Sequence, residues 1–218
     1  MAISIHETRR TRRQEKSVAR PKSRAYDPPM SMMMIELPAQ EVQTAFNLRR
    51  WAEVLADPEL RKIEGRVETD RHGHVIMSPL AAFIHGCYQC EVGNLLHSFL
   101  PNGRCVIACP ISTRDGVRAS DVAWISKKRL AEIDENICLT RAPEICVEVL
   151  SPDNTRAEMK EKKALYFAAD ASEVWFCDRQ GRMKFFVDAE SDGESASRVC
   201  PSFPSRVDLQ VKRNQFFR

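Results

Sequence analysis

Residues 144–178 read EICVEVLSPDNTRAEMKEKKALYFAADASEVWFCD. They contain a strand, a helix and a second strand in succession. In 144–150 the side chains alternate: Ile145, Val147 and Val149 face one way, and Cys146, Glu148 and Leu150 the other. Both sets are largely apolar, the pattern of a central strand covered on two sides. Ser151-Pro152 ends it. Thr155 with Glu158 three residues later is a capping box, which predicts a helix running to about Ala169. Glu173 to Asp178 reads as another strand, and Gln180-Gly181 turns into a further one from Arg182 to Val187.

Towards the N-terminus, residues 40–56 carry Val42, Phe46, Leu48, Trp51 and Leu55 at mostly helical spacing, with Asp57-Pro58 as the stop. Lys62 to Glu68 and His74 to Ser78 read as two short strands joined by Asp70-Arg71-His72-Gly73. Residues 82–100 predict a second helix, with Phe83, Tyr88, Val92, Leu95, Leu96 and Phe99 on its apolar side and Pro101-Asn102-Gly103 as its end. Strands follow at Arg104 to Pro110 and Arg118 to Ser126, turning through Arg114-Asp115-Gly116. A short helix is expected at Leu130 to Glu135. This order gives an α/β architecture with a mixed sheet and helices on its faces.

The 218 residues are 43% hydrophobic, enough for one ordinary domain plus a tail. Residues 1–38 are charge- and proline-rich without periodicity and are read as a disordered basic tail, leaving 39–218 as the domain. Residues 1–25 hold eight Arg or Lys against two acids, +6, so the overall +3 leaves the rest at −3. Attraction to phosphate by bulk charge therefore belongs to the tail; a solubilising arm is the other reading. No apolar run approaches the roughly 20 residues of a membrane helix, and no secretory signal is read, so a cytoplasmic protein is expected. Cys87 with Cys90, and Cys105 with Cys109, fall in helix- and strand-like segments rather than knuckle turns. The eight cysteines are accordingly read as mostly small buried hydrophobes rather than zinc ligands.

Three residues stand out. Glu148 is a carboxylate among Ile145, Val147, Val149 and Leu150, a costly place unless it is paired or binds metal. Asp121 opens the apolar run Val122-Ala123-Trp124-Ile125. If its strand neighbours 144–150, the two acids come close and a cation between them relieves their repulsion. Magnesium keeps several waters, so two acids suffice. Lys162 shares one helical face with Met159, Tyr166 and Ala169 and must snorkel out or enter a polar pocket. Lys163 falls on a different side and is expected to face solvent. For Glu148 a salt bridge, and for Asp121 a strand-end turn, are the competing structural readings.

The stretch RASDVAWIS followed by APEICVEVLSPDNTRAEMKEKKALYFAADASEVWFCD resembles the Uma-two family of restriction-endonuclease-like proteins, within the PD-(D/E)XK nuclease superfamily. A looser match runs from about Asn47 through KIEGRVETDRHGHVIMSP and His85 to CPSFPSRVDL. The resemblance implies a restriction-endonuclease-like fold, a curved central sheet with flanking helices, and a divalent-metal site. Asp121 and Glu148 match the two acidic positions, as catalytic residues and as ligands of magnesium or manganese. Leu150 stands where the superfamily's lysine usually follows, and Lys162 matches a lysine supplied by the next helix. His85 matches a family histidine, either a substrate-binding group or a helix-entry packing residue. Tyr166 and Trp175 match positions read as structural. Two departures are visible: Ser120 precedes the aspartate in place of Pro, and Arg66 stands where many relatives carry an acid after the equivalent of Gly65. Glu64 or Glu68 is the available substitute.

The expectation is a metal-dependent endonuclease acting on phosphodiester bonds, with DNA as partner by family analogy and a homodimer as the form that cuts both strands. The alternative is a non-catalytic nucleic-acid- or protein-binding module that retains the fold.

Overall fold

The computed structural model describes residues 40–133 and 137–209. The expected tail of residues 1–38 lies outside them, as do residues 134 and 135 of the helix expected at 130–135.

The elements in chain order are α1 (Gln40–Ala56), a 3-10 turn (Leu60–Lys62), β1 (Arg66–Thr69), β2 (Val75–Ser78), α2 (Phe83–Phe99), β3 (Gly103–Thr113), β4 (Gly116–Ser126), α3 (Lys127–Leu130), β5 (Ile145–Val149), α4 (Arg156–Ala168), β6 (Glu173–Cys177) and β7 (Met183–Phe186). One sheet has the order β3-β4-β5-β6-β7, and β1 with β2 makes a separate two-stranded sheet. Every pair in the larger sheet is antiparallel except β5–β6. That parallel pair is bridged by α4, because parallel neighbours need a crossover of this length. Thr155 caps α4 as its sequence predicts, its hydroxyl accepting the Glu158 N–H at 3.1 Å.

The two faces of β5 divide the core. Ile145, Val147 and Val149 join Tyr88, Val92 and Leu96 of α2 on one side, with Trp175, Phe185 and Phe203. Cys146 joins Tyr166 and Ala169 at the α4 side of the sheet. Helices thus cover both faces, as the apolar alternation of residues 144–150 requires.

The structure corrects several expectations. Val42 and Leu55 of α1 are exposed; Trp51 is buried as expected, but beside it Gln43, Asn47 and Val54 are the buried residues. The reason is what α1 packs on. It meets the β3–β4 turn, where Asn47 Nδ2 donates to Ser112 Oγ at 2.9 Å and to the Thr113 carbonyl at 2.8 Å, while Gln43 Nε2 donates to Asn47 Oδ1 at 2.8 Å. Buried backbone groups there need polar partners more than apolar cover. Phe83 is exposed at the mouth of α2. The strand expected from Lys62 begins at Arg66, after the 3-10 turn. The short helix lies earlier than expected, at Lys127–Leu130, because Ser126 caps it by accepting the Arg129 N–H at 3.1 Å.

Two glycines seat the β1–β2 hairpin. Gly116 (φ +85) lies so near the Thr69 carbonyl that a Cβ would stand 2.1 Å from it, and at Gly65 (φ +149) a Cβ would stand 2.3 Å from the Ser78 carbonyl. Only glycine tolerates both the backbone angle and the approach. The hairpin is thereby held beside β4, where it delivers Arg66 and Glu68.

Candidate active site

The site begins where the ladder around β4 opens. β4 and β5 pair through Trp124–Ile145, Ala123–Cys146 and Val122–Val147, and no further. Side chains then replace the ladder. Ser120 Oγ accepts the Val147 N–H at 3.1 Å, and Asp121 Oδ2 accepts the Val149 N–H at 2.8 Å. Ser120, the departure from Pro, therefore ties the two strands together. On the other side Ala108, opposite Asp121, drops out of the β3–β4 register and adopts φ 52. Asp121 thus sits at a break in both neighbouring ladders, its carboxylate turned towards β5.

Glu148 follows Val147 on β5 and points to the α4 side. Its Oε1 accepts the Tyr166 hydroxyl at 2.6 Å, and its Oε2 lies 3.3 Å from Lys162 Nζ. Lys162 and Tyr166 are one helical turn apart on α4, on the inward face that Met159 and Ala169 also occupy. The expectation that Tyr166 is only structural is incomplete, since its hydroxyl belongs to the site. Trp175 is a core residue, its indole N–H donating to Glu173. Lys163 does not face solvent: it is buried, donates to the Ser191 carbonyl at 2.9 Å and lies over the Phe186 ring. An aromatic face and a carbonyl give its ammonium a place that spacing alone does not reveal.

Three further residues complete the cluster. Arg66 NH1 donates to Asp121 Oδ1 at 2.7 Å, and Gln89 of α2 donates to the same oxygen at 3.1 Å. Glu68 Oε1 accepts the Ala119 N–H at 2.8 Å and lies 3.4 Å from Lys162 Nζ. Lys162 is therefore shared by Glu68 and Glu148. Of the two substitutes considered for the displaced acid, Glu68 is buried in the cluster and Glu64 is exposed. Gln89 carried no signal in the sequence; it comes into reach because α2 packs over the middle of β4. His85, also on α2, has Nε2 3.2 Å from Asp121 Oδ2, while its buried Nδ1 has no partner.

The cluster is closed, with exposures of 4% for Asp121, 3% for Glu148 and 5% for Lys162. Burial pushes Glu148 up to about 7; Lys162 opposes this, and the charge of Asp121 adds to it. Burial also works to raise Asp121, but the His85 hydrogen bond and the Arg66 charge outweigh it and hold that carboxyl below its usual range. Burial likewise disfavours the Lys162 ammonium, yet Glu148 and Glu68 keep its pKa above the ordinary lysine value. His85 is raised, chiefly by its hydrogen bond to Asp121. Two carboxyl groups a strand apart are thus held in different protonation regimes at neutral pH, a common feature of reactive sites.

Asp121 and Glu148 are hard oxygen donors of the kind that suits magnesium or manganese. Among the described residues no three His, Cys, Asp or Glu side chains are grouped so as to hold an ion. A two-carboxylate site that leaves the remaining positions to water and substrate is the arrangement these residues fit. A cavity of about 270 Å³ on the α4 side of the sheet is lined by Leu150, Met159, Phe176, Arg156, Lys160 and Lys163 and by none of the cluster's residues. Phe176 is the β6 register partner of Glu148.

A family model described as Uma2, "Putative restriction endonuclease", matches residues 51–211. A crystal structure of "a putative nuclease belonging to DUF820 from Anabaena variabilis" is similar with a TM-score of 0.54 and 17% sequence identity, covering 66% of this chain and 82% of that one. At that identity the likeness establishes the fold. No curated protein matches the chain. Among the described residues no helix is long and apolar enough to cross a membrane.

Proposed function

The chain belongs to the Uma2 family of restriction-endonuclease-type proteins, and on that basis we propose that it is a divalent-metal-dependent endonuclease that hydrolyses phosphodiester bonds in DNA. The observation that carries this reading is the meeting of a strand carboxylate and a helix ammonium, Glu148 and Lys162, at 3.3 Å beside Asp121.

Asp121 and Glu148 would hold magnesium or manganese. The bound ion would acidify water and offset phosphate charge in the transition state. Lys162 would orient the attacking water and steady the charge developing on the phosphate, a role its raised pKa supports because the ammonium stays charged at working pH. Glu68 would keep that ammonium between two carboxylates and so fix its position. His85 would contact substrate from the Asp121 side or hold Asp121 in its orientation. Cutting both strands of a duplex would take two such sites, which supports a homodimer. A cytoplasmic location is part of the same reading.

A second reading is favoured by one specific observation. Both oxygens of Asp121 are already engaged by the chain's own donors, as in a binding module that keeps the fold without its chemistry. Supercoiled plasmid with magnesium or manganese separates the two. The endonuclease nicks it and a chelator stops the reaction. The binding module retards it and leaves it supercoiled.

A further inference from the structure

Three hydrogen bonds reach the Asp121 carboxylate: Oδ1 accepts from Arg66 and Gln89, and Oδ2 accepts the Val149 N–H. His85 Nε2 stands 3.2 Å from Oδ2. A carboxylate offers about four lone-pair positions, so an ion at Asp121 competes with these neighbours.

They are not equally able to move. The Val149 N–H belongs to the central strand. Gln89 and His85 are fixed on α2, whose inner face is buried against the sheet. Arg66 is different. It lies at the first position of β1, in the two-stranded hairpin and outside the five-stranded sheet. Its side chain is 26% exposed, where those of Asp121 and His85 are 5% and 13% exposed. Its other contacts are weaker: the Ala119 carbonyl at 3.2 Å, and Glu68 at 3.7 Å. A guanidinium does not lose its charge at any working pH, so this pair is broken by movement and not by deprotonation.

We propose that Arg66 is a resident counter-ion of the site, competing with the divalent cation for Asp121 Oδ1, so that the cation enters as the guanidinium swings out. This rests on the metal-dependent reading above. It makes Arg66 a positioning residue that sets metal affinity, and it explains how three carboxylates, Asp121, Glu68 and Glu148, are kept together: Arg66, Arg118 and Lys162 offset their charge until an ion arrives.

Mn²⁺ binding to the full chain, followed by electron paramagnetic resonance of the free ion and by calorimetry, tests this without reference to cleavage. Arg66→Gln removes the competing charge. Arg66→Met keeps the alkyl stem and carries the test if the glutamine variant does not fold. Both are expected to bind Mn²⁺ at least about tenfold tighter than the parent, the scale of one charge-assisted hydrogen bond. Adding Asp121→Asn to either is expected to remove the gain. If the parent binds Mn²⁺ through Asp121 and the Arg66 variants bind it no tighter, the counter-ion role is wrong while the metal reading stands. If neither the parent nor any folded variant binds Mn²⁺, both fall.

Discussion

Lys162 Nζ lies 3.3 Å from Glu148 Oε2, although the position two residues after Glu148, just past the end of β5, is Leu150. The lysine returns from the middle of α4, one turn before Tyr166, and the crossover that makes β5 and β6 parallel is what brings it back. Fold and site are thus the same event: the helix that covers the sheet also supplies the charge that lets a carboxylate exist inside it.

Burial of Glu148 has a consequence for stability. Its folded pKa of about 7 stands above the ordinary 4.5. Below pH 4.5 it is protonated in both states. As pH rises towards 7 the unfolded chain ionises first, so the folded state loses stability across that window, by up to about 3 kcal/mol. Denaturant unfolding at several pH values checks this. Glu148→Gln is expected to flatten the decline between pH 4.5 and 7, and an unchanged slope would show that Glu148 is not its source.

Tyr166 tunes the same group. Its hydroxyl donates to Glu148 Oε1 at 2.6 Å and lowers that carboxyl's pKa against the pull of burial. Tyr166→Phe is expected to move the Glu148 titration to higher pH and to cost about 1 kcal/mol of stability. A carboxyl-directed infrared or NMR titration reads the first effect and thermal unfolding the second.

The seat of the β1–β2 hairpin should be sensitive to one methyl group. Gly116→Ala sets a Cβ 2.1 Å from the Thr69 carbonyl at a positive φ. A loss of at least about 2 kcal/mol is expected. Asn47→Leu, which strips partners from Ser112 and the Thr113 carbonyl, is expected to cost about 1–3 kcal/mol despite adding apolar volume. Chemical unfolding of each variant measures both.

Much of the fold is legible because its elements announce themselves locally. The alternation of residues 144–150, the Thr155–Glu158 cap and the Pro101-Asn102-Gly103 stop each use short-range rules, and the structure follows them. What misleads is burial that depends on a distant partner. Val42 and Leu55 look like core, yet α1 buries Gln43 and Asn47 because a turn nearly 70 residues on requires hydrogen bonds. Lys163 looks solvent-facing, yet Phe186 and the Ser191 carbonyl enclose it. In the site, Asp121 and Glu148 stand out as charges in or beside apolar runs, and Lys162 as a charge on the apolar face of its helix. Arg66 and Glu68 are flagged only through the family resemblance, without a position, and Gln89 carries no signal; all three take their place where the hairpin, β4 and α2 meet.

The most direct test of the account is nicking of supercoiled plasmid by the parent chain and by Asp121→Asn, Glu148→Gln and Lys162→Met, each shown to be folded by circular dichroism. The expected result is cleavage by the parent that needs magnesium or manganese and falls at least about a hundredfold in each variant, as loss of a group that stabilises transition-state charge requires. Variants that cut as fast as the parent, or a parent that binds plasmid and never nicks it at any metal concentration, would contradict the account.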